Sequence, residues 1–482
     1  MIHFRHLRQA AAGVIVILLA GCAAGLGPHA PTLAELKVPE QFTAGAPETS
    51  ADADADADAD LARWWRAFGD PTLTTLVERG LAANLDIDEA GSRVRAARAD
   101  LRAARSVLLP SLDVFGSGSR QVGERTSGQT AARASYQIGF DAAYEADIFG
   151  GGRHSVAAAR ATAEGTRASL RAVQLTVASE IALNYLDARE AQARLSIARD
   201  TLSTLDETVE ITGWRLQAGL VGSLDLERAR QLRAQTAASI PAIETAYAAA
   251  ANRLAVLLDE TPGAMNGLLE PAAAPLSPPA VLPAAIPAEV IRRRPDVALA
   301  EQTLAAETAR VGVETAQLYP ALKLSGTFSG SGGSLSNAAG DMVGSLVAGI
   351  TAPLFHGGRI RASVEAQRAR AAVALAAYRA SVLTALEEVE NALVSVSAAD
   401  RREQALIAAE AAARSAAEIA RIQYRSGRTD FQSLLESERT LLSSQDSLAS
   451  ARVARAAAAV QLYKALGGGW QAAPQPSSVA AP

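Results

Sequence analysis

The sequence contains two copies of one pattern, and this duplication restricts the possible folds more than any other feature. Three pairs of segments match in the same order at nearly one spacing: LRAARSVLLPSLDV with VGVETAQLYPALKL, DIFGGGR with PLFHGGR, and WRLQAGLVGSLDLERARQLRAQ with IQYRSGRTDFQSLLESERTLLSSQ. Three ordered matches indicate a tandem duplication, in which each copy has the same elements.

The duplication divides the chain into segments. We expect a first repeat over 61–269 and a second over 286–470, joined by the Pro-rich linker 270–285. The ADADADADAD run and the tail 471–482 are low-complexity, which predicts that they contribute nothing to a packed core.

The single cysteine stands in the stretch LLAGCAAG, and its neighbours indicate its use. Basic residues and then a short apolar run precede Cys22, which is the pattern of a secretory signal over 1–21. The stretch resembles the lipobox of bacterial lipoproteins, which implies cleavage before Cys22, acylation of that residue (palmitate among its chains) and a lipid-anchored linker over 22–60. The same resemblance implies that Ala23, rather than Asp, after Cys22 favours the outer membrane over retention at the inner membrane. An ordinary signal peptide with a chance cysteine is the alternative.

Composition excludes some partners and some folds. The net charge is −5, which argues against nucleic acid as a partner. Aromatic residues are only 4% of the chain, and the abundance of alanine predicts long helices. After the signal, we expect no run near the ~20 apolar residues of a membrane helix, so further membrane contact would come from strands.

Each copy begins with a helix and continues with two strands. The helices are predicted over 71–107 and 288–318, and each ends before a proline. In SYQIGFDAAYE, apolar residues including Tyr136 and Phe140 share one face, while polar residues share the other. This alternation is typical of a transmembrane barrel strand, although a soluble sandwich gives the same pattern. The lipid anchor and the small number of strands favour the barrel.

Long stretches without proline follow the strands, over 153–217 and 359–424. As continuous helix, each would be about 100 Å long. Small residues along them allow close packing of neighbouring helices, and a coiled-coil scaffold that binds partners without conducting is the alternative interpretation.

Two strands in each copy give four strands in a chain, which is too few to close a barrel. Open strand edges in hydrocarbon are costly, so we expect the chain to oligomerise. Two chains would give a barrel filled by side chains, whereas three would leave a water-filled pore. The polar face would then line the lumen with Gln137, Asp141, Glu145 and Lys323.

The duplicated halves, the lipobox, the paired strands and the turns QAGLVGSLDLERAR and YRSGRTDFQSLLESER resemble the outer-membrane factor family, of the TolC and OprM type and its NodT-like lipoproteins. The resemblance implies an α+β membrane protein in which four strands join a trimeric transmembrane β-barrel and long α-helices form a periplasmic α-barrel. It also implies a homotrimer in the outer membrane, extending into the periplasm, with a periplasmic membrane-fusion adaptor and an inner-membrane RND-type pump as partners. The function would be passive conduction of small toxic compounds, and the alternative is a conduit for ATP-driven protein or peptide secretion.

The two glycine turns join the long helices to the helices that return. Gly219 and Gly427 can adopt the positive φ that ends a helix, and Ser223 and either Thr429 or Asp430 can cap the next helix. Structure alone explains those glycines and caps, but not an exposed Leu220-Val221 pair. The resemblance implies that adaptor hairpins bind at these tips, which comprise Gly219, Leu220, Val221, Gly222, Ser426, Gly427 and Arg428.

The resemblance also implies a gate at the tips, formed by Asp225, Tyr424 and Arg428. An exposed pair of acid and arginine is worth only about 1 kcal/mol, which suits a latch that a partner opens. The second tip is expected to be one residue shorter than in TolC, so Asp430 or Glu436 is the alternative acid ring. Ordinary surface charge also explains these acids.

Motifs for catalysis are not found in the sequence. It has no HExxH, no GxxxxGK[ST] phosphate loop and no GxSxG. His154 and His356 lie near the Gly-rich turns without a pattern of metal ligands. We therefore expect no enzyme activity, no cofactor and no metal site.

Overall fold

The structure is a computed structural model. It describes residues 31, 35–36, 38–39, 41–43, 61–124, 130–269, 278 and 287–470, with no side-chain description for 122–133. The signal 1–21, Cys22, most of the linkers and the tail 471–482 lie outside the described residues, and so do the expectations about them.

Helices and strands follow one another twice in the same order. After a 3-10 turn at Trp64–Phe68, the elements are α1 Pro71–Ala83, α2 Leu85–Ser106, β1 Ser111–Glu124, β2 Thr130–Ala146, α3 Gly151–Gln217, α4 Ser223–Leu257, α5 Asn266–Leu269, α6 Pro287–Arg293, α7 Pro295–Ala316, β3 Ala321–Gly332, α8 Leu335–Gly340, β4 Met342–Thr351, α9 Arg359–Arg425 and α10 Phe431–Ala465.

The duplication is visible in the lengths of the elements. Helices α3 and α9 each have 67 residues, and α4 and α10 each have 35. The prediction of long uninterrupted helices is therefore confirmed. The first residues of α4 and α10, Ser223 and Phe431, are 208 positions apart, and so are the last residues of α3 and α9, so the two tips have equal lengths.

The prediction of one continuous helix before the strands was wrong in both copies. In the first copy, the side-chain oxygen of Asn84 accepts hydrogen bonds from the backbone N–H groups of Asp86 and Ile87, at 3.0 and 3.2 Å, and so starts α2 as a new helix. In the second copy, Arg294 precedes Pro295, whose ring disfavours helical geometry at the residue before it. The two breaks occupy equivalent places, 210 residues apart.

The four strands form one antiparallel sheet in the order β1-β2-β3-β4. The central pair joins the two repeats, with Phe140 opposite Phe328 and Asp141 opposite Thr327. Strands β1 and β4 are the outer strands, each paired on one side only. The prediction of two strands in each copy is confirmed.

The chain divides into two compact units. One contains the sheet and the described parts of 94–166 and 299–380. In it, the short helix α8 packs on β3, where Ala338 is fully buried.

The other unit is helical, and it contains the described parts of 33–93, 167–298 and 381–482. Its core is built around Trp64 and Trp65, both buried, with the ring of Trp64 stacked on that of Tyr463 at 5.5 Å between centroids. The hydroxyl of Tyr185 donates to the Asp70 carboxylate at 2.7 Å, and burial together with this bond raises the pKa of Tyr185 to about 12.

One buried cation joins three helices of the helical unit. The guanidinium of Arg294 lies 2.6 Å from a carboxylate oxygen of Asp296 and 2.6 Å from one of Glu388. It also donates to the backbone carbonyl of Ala465 at 3.0 Å. Arg294 is 8% exposed in its side chain, so these partners replace the water that a buried charge loses.

One helix of the described residues is long and apolar enough to cross a membrane by length and composition alone, although the sequence predicted no run near the ~20 apolar residues of a membrane helix. Helix α9 contains an 18-residue window with a mean hydropathy of 1.2, of which 28% is buried. The core helix of a soluble protein can have the same length and hydropathy.

Candidate functional site

The sheet has a mainly polar and a mainly apolar face, as the alternation in β2 predicts, although Val343 and Val347 of β4 lie on the polar face. Of the polar residues, Glu145 stands opposite Lys323, and their charged groups lie 3.6 Å apart. Gln137 stands opposite Ser331, and Asp141 opposite Thr327. The four polar residues predicted for a lumen thus lie on one face and are solvent-exposed or form exposed pairs.

The register adds polar residues that the sequence reasoning did not name. Asp113 on β1 is the direct partner of Asp141 on β2. On the other side of the same row, the hydroxyls of Thr327 and Ser345 are hydrogen-bonded at 2.7 Å. A cross-strand row of two acids and two hydroxyls therefore crosses all four strands. Asp113 was missed because only the register shows which residue faces Asp141.

The opposite face of the sheet is apolar and exposed. Val114, Phe140 and Phe328 lie in one row, and their exposed fractions are 70%, 46% and 49%. Leu346 and Ile350 on β4 are more exposed still, at 83% and 75%. An apolar face of this extent, opposite a polar one, is the arrangement of strands between lipid and an aqueous lumen.

The first tip is a five-residue turn, 218–222, between α3 and α4. Gly219 has φ of +70°, and no atom lies within 4 Å of the place where a Cβ would stand, so backbone conformation alone favours glycine there. Leu220 is 68% exposed and Val221 is half-buried. The prediction that Ser223 caps α4 was wrong, because the N-cap is Gly222, which supplies no side chain, and Ser223 is already helical.

The second tip is the turn 426–430 between α9 and α10. Gly427 has φ of +71°, and Ser426 and Arg428 beside it are exposed. Asp430 caps α10, accepting from the backbone N–H of Ser433 at 2.7 Å. That hydrogen bond lowers the pKa of Asp430. Of the two predicted caps, Asp430 is the N-cap residue and Thr429 is not. The Asp430 carboxylate is therefore hydrogen-bonded to the first turn of its own helix.

The predicted gate residues differ in burial. Tyr424 is 4% exposed and packs with Leu205, Leu434 and Phe431 in a small core at the tips. Asp225 is half-buried, whereas Arg428 and Glu436 are exposed. Within the part of the chain that the structure describes, neither Asp225 nor Arg428 has an ion-pair partner, so a pair between them stays a prediction.

Arg215 contacts the predicted gate, although the sequence reasoning did not name it. Its guanidinium lies 4.4 Å from the centroid of the Tyr424 ring, and its Nη1 donates to the Tyr424 carbonyl at 2.8 Å. The side chain of Arg421 forms a second link nearby, to the buried Glu438 on α10 at 2.7 Å. Hydrogen bonding to Glu438 raises the pKa of Arg421 above its ordinary value.

Among the described residues, no three or more His, Cys, Asp or Glu side chains are arranged as a metal site.

A four-stranded sheet with one exposed apolar face, in a chain with two 67-residue helices, defines the class of outer membrane channels that combine a β-barrel with long helices. The chain belongs to the outer membrane efflux protein family, whose model matches residues 76–260 and 286–468. The predictions of this family and of an α+β channel fold are confirmed.

Individual relatives agree with this assignment. The chain is 32% identical to Nodulation protein T of Rhizobium leguminosarum bv. trifolii over 435 residues, which cover 88% of this chain and 89% of the relative. It is 32% identical to the pyoverdine export outer membrane protein OpmQ of Pseudomonas aeruginosa, over 85% of this chain and 88% of that one. Among solved structures, the outer-membrane channel OprN is similar with a TM-score of 0.80 and 34% identity, over 93% of this chain and 100% of that chain. The family consists of outer membrane channels and not of enzymes.

Proposed function

We propose that three copies of this chain form the outer-membrane channel of a tripartite efflux system, which passively conducts small toxic compounds to the exterior. The observation that carries the proposal is the four-stranded sheet with two open edges and one apolar face. The family assignment supports the location in the outer membrane.

The strand edges support a trimer. Strand β1 is paired only with β2, and β4 only with β3, so each leaves one row of backbone groups unpaired in a single chain. In hydrocarbon, each unpaired group costs several kcal/mol, and closure into a barrel removes the cost. An eight-stranded barrel from two chains would have an interior filled by side chains, whereas three chains leave a lumen for the Asp113 and Asp141 row.

Acylation of Cys22 would fix the chain to the outer membrane, because several acyl chains on one residue anchor a protein firmly. This part of the proposal rests on the lipobox alone. The barrel and the anchor would then place the long helices in the periplasm.

The tips support binding of a periplasmic adaptor. Leu220 is a large apolar residue in the middle of the turn 218–222 and is 68% exposed, although the turn itself does not require it. Gly219, Gly222, Ser426, Gly427 and Arg428 are also exposed, so both tips offer backbone and small side chains to a partner. The inner-membrane partner in this proposal is a proton-driven RND-type pump.

The relatives support a small cargo. OpmQ is an export protein for pyoverdine, and TtgC of Pseudomonas putida, which is 29% identical over 92% of this chain, is the outer membrane protein of a toluene efflux pump. We therefore favour efflux of small compounds over protein or peptide secretion.

Photo-crosslinking at the tip tests the proposal. A photoreactive amino acid replaces Leu220 in living cells, and mass spectrometry identifies the captured protein. The matched control replaces Val256, an apolar residue at the other end of α4 that is 51% exposed. We expect an adaptor of a proton-driven pump at position 220 and not at position 256. An adaptor of an ATP-driven exporter would contradict the efflux assignment, and equal capture at both positions would contradict adaptor binding at the tip.

A further inference from the structure

One side chain ties the end of the first long helix to the end of the second. Arg215 lies in the last turn of α3, and Tyr424 is the penultimate residue of α9. The Arg215 guanidinium covers the Tyr424 ring at 4.4 Å and donates through Nη1 to the Tyr424 carbonyl at 2.8 Å. A single residue of the first repeat therefore holds both the side chain and the backbone of a residue in the second.

The location favours a cation. The carbonyl groups in the last turn of a helix carry partial negative charge, and Arg215 lies within that turn of α3 while it contacts that turn of α9. The carbonyl of Tyr424 also accepts from the backbone N–H of Gly427 at 3.0 Å. The contact thus bears directly on the glycine turn of the second tip.

The hydroxyl of Tyr424 does not hold this residue in place. It is buried and has no hydrogen-bond partner among the described residues. The ring lies against the Arg215 guanidinium, against Phe431 edge-on at 5.6 Å, and in the same small core as Leu205 and Leu434. The position of Tyr424 therefore depends on its ring and its carbonyl.

The contact has no equivalent in the other direction. At the spacing of 208 residues that relates the tips, Gln423 corresponds to Arg215, and Leu216 corresponds to Tyr424. Neither the cation nor the aromatic ring is duplicated, although the turns themselves are. The first repeat restrains the second tip, and the second repeat does not restrain the first in this way.

We infer that Arg215 is a positioning residue that restrains the second tip through the ring and the carbonyl of Tyr424, and so sets how readily the channel opens. The inference rests on the proposed channel function. The contact between Arg215 and Tyr424 lies within one chain, and the hydroxyl of Tyr424 takes no part in it.

Single-channel recording of the full-length protein in planar bilayers tests the inference. We expect Arg215→Ala to increase the open fraction about fivefold or more, because a charged hydrogen bond and a cation–π contact are both lost. Arg215→Lys keeps a cation, so its open fraction should lie between those of the parent protein and Arg215→Ala. Tyr424→Phe should equal the parent protein, since the hydroxyl has no partner. Arg230→Ala is the matched control, because Arg230 is an exposed arginine on α4 that pairs with Glu227 on its own helix.

A double variant separates positioning from general loosening of the tip. In a Tyr424→Leu background, which lacks the ring, Arg215→Ala should add less than about twofold. An undiminished effect in that background would overturn the inference, as would an Arg215→Ala protein that behaves like Arg230→Ala. A leaky Tyr424→Phe would also overturn it, because the hydroxyl would then be the latch. If the parent and all variants form trimers but none conducts, the channel function fails instead, and the two failures remain distinct.

Discussion

Asp113 and Asp141 are direct cross-strand partners on the polar face of the sheet. Two like charges directly opposite each other on neighbouring strands repel and destabilise the sheet. In three chains around a lumen, the pairs would form a ring of negative charge inside the barrel. Such a ring attracts cations and repels anions.

Neutralising this pair should reduce cation selectivity. We expect Asp113→Asn with Asp141→Asn to shift the reversal potential in a salt gradient toward zero, while the channel still assembles. Glu89→Gln is the control, because Glu89 is an exposed acid on α2 that pairs with Arg93 of the same helix. An unchanged reversal potential in the double variant would show that these acids do not face the conducting path.

The two faces of β2 should respond oppositely to a new charge. An arginine on the lipid face near the middle of a membrane costs about 2–4 kcal/mol, whereas one in the lumen stays hydrated. Phe140→Arg should therefore reduce the heat-resistant oligomer recovered from outer membranes, and Gln137→Arg should not. Equal recovery of the two variants would contradict the assignment of the faces.

The predicted gate is tested by removing both charged partners. Asp225→Ala with Arg428→Ala should make the channel leaky, which current recording in planar bilayers measures directly. Because the gain from a partly exposed pair is only about 1 kcal/mol, we expect an increase of the order of tenfold or less. Glu227→Ala with Arg230→Ala removes a neighbouring exposed pair and should have no effect. Unchanged conductance in the first double variant would exclude this latch.

Arg294 should be important for stability and not for conduction. Arg294→Ala leaves Asp296 and Glu388 without their cation, and since both carboxylates are about half-exposed, we expect a loss of about 2 kcal/mol in the free energy of unfolding. Arg253→Ala, which breaks an exposed pair with Glu180, should cost much less. Thermal unfolding of the purified protein measures both.

The same variant has an expected pH dependence. Burial raises the pKa of Asp296, but its bonds to Arg294 and the charge of Arg294 more than offset this, and the folded pKa lies below the ordinary value of 3.8. The contribution of Asp296 is therefore present above about pH 4 and lost as the pH falls through the folded pKa. The difference between the parent and Arg294→Ala should shrink below pH 4. A difference that stays constant down to pH 2 would contradict the role of Asp296.

The elements with strong periodicity could be predicted from the sequence. Strands alternate with a period of two, so the faces that carry Phe140 and Asp141 followed directly from the order of residues. The long helices followed from the lack of proline, and the repeat confirmed each element a second time. The helix breaks at Asn84 and Arg294 were missed, although the cap that Asn84 provides and the proline after Arg294 are local signals in the sequence.

At the tips, the caps could be predicted in part, whereas a contact between the repeats could not. Asp430 was correctly predicted as the cap of α10. The cap of α4 was predicted at Ser223, one residue too late, because a glycine can also occupy the N-cap position and Gly222 does so here. Arg215 was missed because it binds a backbone carbonyl 209 residues away, and a carbonyl has no signature in a sequence. Local patterns thus predict the elements, whereas contacts between repeats require the structure.

Cysteine modification during single-channel recording tests the central claim most directly. Asp141→Cys places a thiol on the polar face, and Cys22 is the only other cysteine in the chain, so the parent protein is the control for it. A bulky charged thiol reagent should reduce the current of the Asp141→Cys channel in three equal steps, one for each chain of a trimer. Phe140 directly precedes Asp141 and lies on the apolar face, so Phe140→Cys should give no step. Steps at position 140, no steps at position 141, or a number of steps other than three would contradict a trimeric channel with this face toward the lumen.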